Sequence, residues 1–273
     1  MVQQNKNSNK LIKLKLSIQI SLSGLSFCIL NSEKNYITFI KEIDFDKKLN
    51  PLELLDALKK QFENEPVLTE GFYDVCVIHD NDLSALVPKP LFNEDYLADY
   101  LKFSSKILKS DFITYDELFI NESVNVYIPY ININNYIYDI FGEFTYKHIS
   151  TILISNVLQI EKNAKAQKVY VNVSRDHFEI IVIENAKLML YNTFKHQTKE
   201  DFIYFILFTA EQLNLNPETL ELVFIGDITK DNDLYKIAYK YIRKISFGKR
   251  FDNYKYEIQP KSEHSNFVLI KSF

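Results

Sequence analysis

The chain has 273 residues, of which 47% are hydrophobic, and its formal net charge at pH 7 is −4. This composition supports a full globular core, in one large domain or two smaller ones, and excludes a disordered protein. Only three of the 32 positive side chains are arginines, and the chain has five glycines. Bidentate phosphate contacts and phosphate-binding glycine loops must therefore be scarce, and we expect no nucleic-acid-binding surface.

The N-terminal residues and the cysteines indicate in which cellular compartment the protein is located. Residues 1–10 are polar and lack the continuous apolar stretch of a signal peptide. The most apolar run, 202–208, is far shorter than the roughly 20 residues that cross a bilayer. Cys28 and Cys76 lie in apolar, strand-like segments, where cysteine is usually a small core residue. We therefore expect a cytoplasmic protein with no membrane span and no disulfide.

The first part of the chain has the pattern of three strands, a helix and a fourth strand. Apolar and polar residues alternate at 14–20, which is the period of a strand with one solvent-exposed face. Strand-like segments follow at 25–30 and 36–45. Pro51 stands in the first turn of a predicted helix, and an apolar strand follows at 72–78. The predicted order is β-β-β-α-β.

The middle of the chain predicts a mixture of elements. They are a helix at 93–103, strands at 112–119 and 124–130, a short helix at 132–142, a strand at 143–149 and a helix at 150–166. Ser150 is the predicted N-cap of the last helix. We place the first domain at 11–149 and the second at 150–273.

The second half repeats the order of the first. It predicts strands at 169–173, 178–183 and 187–194, a helix at 199–213 and a strand at 220–226. With an offset of 153 residues, apolar residues of the first hairpin fall on Val, Ile or Phe of the second: Leu16, Ile18, Ile20, Leu25, Phe27, Cys28, Ile29 and Leu30. Because five successive elements recur in the same order, we predict an internal repeat.

Two β-β-β-α-β units joined by a long helix resemble the actin-like ATPase superfamily, in which each half has a ribonuclease-H-like fold. The resemblance covers about residues 11–250. More narrowly, the chain resembles the actin-like proteins of pilus assembly and type II secretion, and an uncharacterised bacterial family with that fold. The resemblance implies an α/β protein with two ribonuclease-H-like halves, whose mixed sheets are flanked by helices.

The resemblance also implies a nucleotide cleft between the halves, with an Asp-x-Gly motif in each hairpin and a Gly-Gly pair after the fourth strand of the second half. The matching positions here are Gln19-Ile20-Ser21, Asn172-Val173-Ser174 and Gly226-Asp227. Both acids are replaced by neutral amides, which suit Mg²⁺ less well than carboxylates do. Both hairpin glycines are replaced by serine, whose Cβ obstructs close approach of a phosphate to the backbone. We therefore predict a degenerate cleft at Gln19, Ser21, Asn172, Ser174, Gly226 and Asp227.

The first functional hypothesis is a non-catalytic interaction or scaffold protein with no cofactor, no catalytic or metal-binding residue, and a protein partner that the sequence does not identify. The alternative is a nucleotide-binding protein with weak or no hydrolysis, which would take ATP with Mg²⁺. A hydrolytic enzyme comes third, because a ribonuclease-H-type nuclease needs several carboxylates and Gln19 stands where the first would be.

Three further polar clusters have simpler interpretations. His79, Asp80 and Asp82 follow a predicted strand; they are conceivable metal ligands, but we favour a solvated turn. The segment 174–177, Ser-Arg-Asp-His, is likewise interpreted as a hairpin turn. Asp231 is the predicted cap of a helix at 234–245. The positive residues of that helix predict a solvated face: Lys236, Lys240, Arg243 and Lys244.

Overall fold

The computed structural model describes residues 13–103 and 105–273. The polar segment 1–10 and the first two residues of the predicted first domain lie outside these ranges. The strands of the described residues are β1 (Leu14–Ile20), β2 (Gly24–Asn31), β3 (Tyr36–Asp44), β4 (Asp74–His79), β5 (Ser84–Pro88), β6 (Thr114–Leu118), β7 (Ser123–Tyr127), β8 (Thr145–His148), β9 (Lys168–Val173), β10 (His177–Glu184), β11 (Lys187–Lys195), β12 (Glu221–Gly226), β13 (Lys244–Phe247) and β14 (Lys255–Tyr256). Their α-helices are α1 (Pro51–Asn64), α2 (Leu97–Leu101), α3 (Ile131–Phe141), α4 (Ile149–Ile160), α5 (Lys199–Gln212), α6 (Asp233–Tyr241) and α7 (Phe267–Lys271).

The two large sheets repeat one topology. Their strand orders are β14-β3-β2-β1-β4-β8 and β11-β10-β9-β12-β13. In both, the first and second strands of the unit pair antiparallel, whereas the first and fourth pair parallel. A β-bulge interrupts the pairing of the second and third strands at Ile29/Leu30 and again at Val182/Ile183, which lies 153 residues later. The predicted repeat and the α/β class are confirmed.

The helices α1 and α5, which follow the third strand in each unit, also begin alike. The Asn50 side chain caps α1, and the Glu53 carboxylate accepts a return hydrogen bond from the Asn50 N–H. Thr198 and Asp201 form the same capping box on α5. Each box satisfies backbone N–H groups that the first turn of a helix leaves without partners. The local sequence therefore specifies where both helices start.

A third, small sheet is inserted between β4 and β8. Its order is β5-β7-β6, and both pairs are antiparallel. The sequence predicted β6 and β7 but not β5. The helix predicted at 93–103 is shorter than expected, since only Leu97–Leu101 is α-helical and a 3-10 turn at Glu94–Tyr96 precedes it.

Three layers of apolar side chains hold the two large sheets and their helices together. On one face of the first sheet pack α1 and α3, and on one face of the second pack α5 and α6. Between the two sheets lie α4 and α7. Cys28 and Cys76 are free thiols buried in this central layer, as expected. No α-helix within the described ranges combines the length and hydrophobicity needed to span a bilayer.

The predicted limits of two helices are wrong. The N-cap of α4 is His148, whose ring accepts a hydrogen bond from the Ser150 N–H, so Ser150 lies inside the helix. The N-cap of α6 is Asn232 rather than Asp231. This helix ends at Tyr241, because the chain turns into β13 to pair with β12; Arg243 and Lys244 therefore do not belong to a helical basic face.

The C-terminal segment connects both sheets. After β13 the chain returns to the first sheet, where β14 pairs parallel with β3. Ser272, just after α7, contacts Ser17 of β1 at 2.7 Å between the two hydroxyl oxygens. The domain limits of 11–149 and 150–273 stay a prediction.

Candidate functional site

The carboxyl ends of central strands from both sheets meet at one crevice. Ligand sites of α/β proteins commonly form outside such strand ends. The crevice has a volume of about 110 Å³. Its lining includes all of the predicted cleft positions: Gln19, Ser21, Asn172, Ser174, Gly226 and Asp227. The fold therefore brings together residues of β1, β9 and β12 and of the turns that follow them.

The amides at the two positions where the resemblance implies acids are donors to buried carboxylates. Gln19 Nε2 donates to Asp80 Oδ2 at 3.0 Å, and Asn172 Nδ2 donates to Glu179 Oε2 at 2.8 Å. Ser21 closes its own hairpin turn, where its Oγ accepts hydrogen bonds from the backbone N–H groups of residues 23 and 24. These polar side chains are thus engaged within the protein.

Gly226 is required by the packing of β9 against β12. Its φ is +84°, and a Cβ at this position would overlap the carbonyl oxygen of Val173. The next residue, Asp227, donates its N–H to that same oxygen at 2.8 Å. A side chain is therefore excluded by neighbouring backbone, and no ligand is needed to explain the glycine.

His177 lies at the centre of a buried cluster that joins the two sheets. Its Nε2 is 2.9 Å from Asp80 Oδ1 and 3.2 Å from Glu179 Oε1, and its Nδ1 is 3.0 Å from Asp176 Oδ1. Asp80 follows β4 of the first sheet, whereas His177 and Glu179 belong to β10 of the second. Ser23 donates to Asp176 at 3.0 Å, so equivalent turn positions 153 residues apart are in contact.

Charge determines the protonation of this cluster. Burial alone would lower the pKa of His177, but the carboxylates of Asp80 and Glu179 and the hydrogen bond to Asp176 raise that pKa well above 6.5. The hydrogen bond from His177 holds the pKa of Asp176 well below its usual range. Without a bound cation, His177 is therefore an imidazolium that donates from both ring nitrogens.

A larger cavity adjoins the crevice. Its volume is about 450 Å³, and it shares Ser21, Ser23 and Asp80 with the crevice. Its walls are mostly apolar and come from the start of α1, the loop after β4 and the segment before α3. His177 and Asp80 lie in its lining, and Lys195 at its edge pairs with Asp82 at 2.5 Å. The cavity has the size of a small-molecule pocket.

Two other histidines are structural. His79 Nδ1 accepts from the Tyr130 N–H at 3.2 Å, so its Nε2 carries the proton and donates to Asn134. Burial lowers the pKa of His79 to about 3 and that of His148 to about 4. Both rings are therefore neutral at pH 7.

The interpretation of His79, Asp80 and Asp82 as a solvated turn is wrong for His79 and Asp80, which are buried. The segment 174–177 does connect β9 to β10 as a hairpin turn, but His177 at its end is buried as well, because the two segments face each other between the sheets. Glu179 was missed altogether. One signal was present in the sequence, since Glu179 is the single charged residue within the apolar run 178–183, and a fully buried strand seldom carries an unpaired acid.

The fold is that of the actin-like ATPases. A protein from Bacteroides thetaiotaomicron, described as having an actin-like ATPase fold and unknown function, matches with a TM-score of 0.78 and 24% identity over 88% of this chain and 92% of its own. A chain of the PilM-PilN type IV pilus biogenesis complex matches with a TM-score of 0.53 and 9% identity over 91% of each chain. At these identities the likeness establishes the shared fold alone.

The family can be stated more narrowly. Residues 3–245 match the family described as "Protein of unknown function (DUF3822)", and the chain belongs to that family. No curated protein matches the sequence. The resemblance to an actin-like bacterial family is therefore confirmed.

Proposed function

We propose that this chain is a non-catalytic, actin-like interaction or scaffold protein with a degenerate nucleotide cleft. One observation carries the proposal: the positions that would hold a nucleotide line a crevice of only about 110 Å³. Pockets for small-molecule ligands usually measure about 300–1,000 Å³. A nucleoside triphosphate therefore has no room there unless the halves separate.

The charge of the crevice argues in the same direction. Asp80 lines the crevice and accepts from Gln19, and Glu179 accepts from Asn172. The oxygens of a triphosphate would therefore come close to two carboxylates. The amides themselves offer Mg²⁺ no negative charge. Both features weaken nucleotide binding rather than favour it.

A protein partner is supported by the surface of the small sheet and its flanking loops. Between residues 91 and 120 the chain exposes several large apolar side chains: Leu91, Tyr96, Phe103, Leu108, Phe112, Phe119 and Ile120. Concentrated apolar exposure of this kind is typical of interaction surfaces.

We place the protein in the bacterial cytoplasm, which agrees with its two free cysteines.

A thermal-shift experiment tests the degenerate cleft. ATP, ADP and GTP are each added with and without Mg²⁺, and we expect no change in Tm, because only a ligand that binds the native state raises it. The double variant Gln19→Asp/Asn172→Asp should also show no ATPase activity. A Mg²⁺-dependent rise in Tm with ATP would contradict the proposal.

The alternative, a nucleotide-binding protein without efficient hydrolysis, is favoured by one observation. Arg175 and Lys261 line the crevice together with Ser21 and Ser174. The crevice therefore contains positive charges and hydroxyl groups that could contact the phosphates of a nucleotide. If ATP does raise Tm, Lys261→Ala should abolish the shift. This variant is a better probe than a change at Gly226, since Lys261 is a surface side chain and Gly226 is needed for packing.

A further inference from the structure

We propose that Asp80, His177 and Glu179 bind one divalent transition-metal ion between the two sheets. The ligands are one imidazole nitrogen and two carboxylate oxygens, a set that suits Zn²⁺ and related ions better than Mg²⁺ or Ca²⁺. The site needs no nucleotide and lies outside the family motif positions. The metal site therefore goes beyond the proposed function, and the two proposals can be tested independently.

The distances between the three ligand atoms fit a small cation. His177 Nε2 lies 2.9 Å from Asp80 Oδ1 and 3.2 Å from Glu179 Oε1, and all three atoms lie within 4.8 Å of one another. Ligand atoms placed tetrahedrally at zinc–ligand bond lengths are about 3.4 Å apart. Small side-chain adjustments are therefore enough for all three atoms to contact one ion.

The surrounding hydrogen bonds orient each ligand towards the same point. Gln19 holds the outer oxygen of Asp80, and Asn172 holds the outer oxygen of Glu179, which leaves Oδ1 and Oε1 directed at His177. Asp176 accepts from Nδ1 of His177, an arrangement that leaves Nε2 free for a metal once it has lost its proton. Carboxylates and amides commonly support metal ligands in this way.

Glu179 supplies the independent sign of an ion. Its side chain is completely buried, yet no donor among the described residues forms a hydrogen bond with Oε1, although this oxygen lies 3.2 Å from His177 Nε2. The single Nε2 proton is directed at Asp80. A buried carboxylate oxygen without a donor is costly, and a metal ion would satisfy it.

The balance of charge favours a divalent ion as well. Three carboxylates, those of Asp80, Asp176 and Glu179, surround the ring of His177. The other cation within ion-pair distance of these carboxylates, among the described residues, is Lys48, at 3.4 Å from Asp176 and half exposed. A metal ion that replaces the ring proton adds one positive charge to this buried group.

Three protein ligands leave a coordination position for water or another small ligand, as in catalytic rather than structural zinc sites. Asp80 and His177 line the cavity of about 450 Å³ described above. An exogenous ligand can therefore approach the ion from that cavity. Because Asp80 and His177 come from different sheets, the ion would also hold the two halves together.

Calorimetric titration of the full chain with Zn²⁺, after removal of metals with EDTA, tests the site. We expect one equivalent to bind. Glu179→Gln should abolish this binding, since it removes a ligand charge while keeping the shape of the side chain. The matched control is Glu184→Gln, at the other end of the same strand and outside the cluster, and it should bind as the wild type does.

A second variant covers the case in which Glu179→Gln does not fold. Gln19→Ala removes only the support of Asp80 and should weaken Zn²⁺ binding by about 10- to 100-fold. Zn²⁺ should also raise the Tm of the wild type and of Glu184→Gln. The proposal is overturned if the wild type binds no stoichiometric Zn²⁺, or if folded Glu179→Gln or Gln19→Ala binds it undiminished. Equal loss in Glu184→Gln would also overturn it.

Discussion

His177 couples the two sheets through charge, and its protonation makes the stability of the metal-free protein depend on pH. Its pKa is raised well above 6.5 in the fold. The stability that its proton contributes is fully present below the unfolded-state pKa of 6.5 and is lost as pH rises through the folded-state pKa. In EDTA, the free energy of unfolding should therefore fall as pH rises above about 6.5, the reference pKa of histidine.

Urea unfolding of wild type and His177→Gln at a series of pH values measures this effect. His177→Gln should be less stable than the wild type at pH 6, but its free energy of unfolding should no longer fall as the pH rises above about 6.5. Loss of this pH dependence is expected only if the imidazole titrates, and not if His177 only fills space. His264→Gln is the comparison, since that buried ring bonds only to the carbonyl of Ile228 among the described contacts. An unchanged pH profile in His177→Gln would contradict the assignment.

Asn172 shows why a neutral amide suits a position where the resemblance to actin-like ATPases implies an acid. Its Nδ2 donates to the buried Glu179 at 2.8 Å. Asn172→Asp removes this charge-assisted hydrogen bond, worth about 1.5–3 kcal/mol, and places two carboxylates in contact. Chemical denaturation should show at least that loss. Asn192→Asp, at an exposed position of β11, should change stability by less than about 0.5 kcal/mol.

At the level of elements, the junction between β9 and β12 explains Gly226, the glycine that matches the Gly-Gly pair implied by the resemblance to actin-like ATPases. A Cβ at residue 226 would meet the backbone of Val173, and its φ of +84° is unfavourable for other residues. Gly226→Ala should therefore destabilise the protein by more than the roughly 1–2 kcal/mol that left-handed backbone costs. Gly71→Ala is the control, because a Cβ there would have open space around it, with no described atom within 4 Å. Equal stability of the two variants in thermal unfolding would show that the strand ends can separate freely.

At the level of the whole molecule, the C-terminal helix α7 joins the two halves of the core. Its residues Phe267–Ile270 are buried in the layer between the sheets, beside α4. Leu269→Ala should cost about 2–5 kcal/mol, the range for large-to-small changes in a core. Phe251→Ala, at a site 68% exposed, should have little effect. Because α7 contacts both sheets, we expect wild type and Leu269→Ala to unfold in one transition, and two separate transitions would contradict this.

The sequence by itself determined the repeat. Hydrophobic alternation, helix caps and turn residues act over a few neighbours, so they specify β1–β4 with α1 and β9–β12 with α5 wherever the rest of the chain lies. The offset of 153 residues even anticipated that the two hairpins are equivalent, and the β-bulge recurs at that spacing. The short strands β5, β13 and β14 escaped prediction because their pairing partners, not their own few residues, make them strands.

Only the tertiary structure decided that the two hairpin turns face each other and bury their polar residues. Asp80 and His177 are 97 residues apart, and their contact depends on how one sheet is placed against the other. Local pattern carries no information about such a contact, which is why Asp80 was assigned to a solvated turn and His177 only to a hairpin turn. The same placement reduces the crevice to about 110 Å³ and leaves Glu179 Oε1 without a hydrogen-bond donor among the described residues. Both features depend on how the backbones and charges of the two sheets pack against each other.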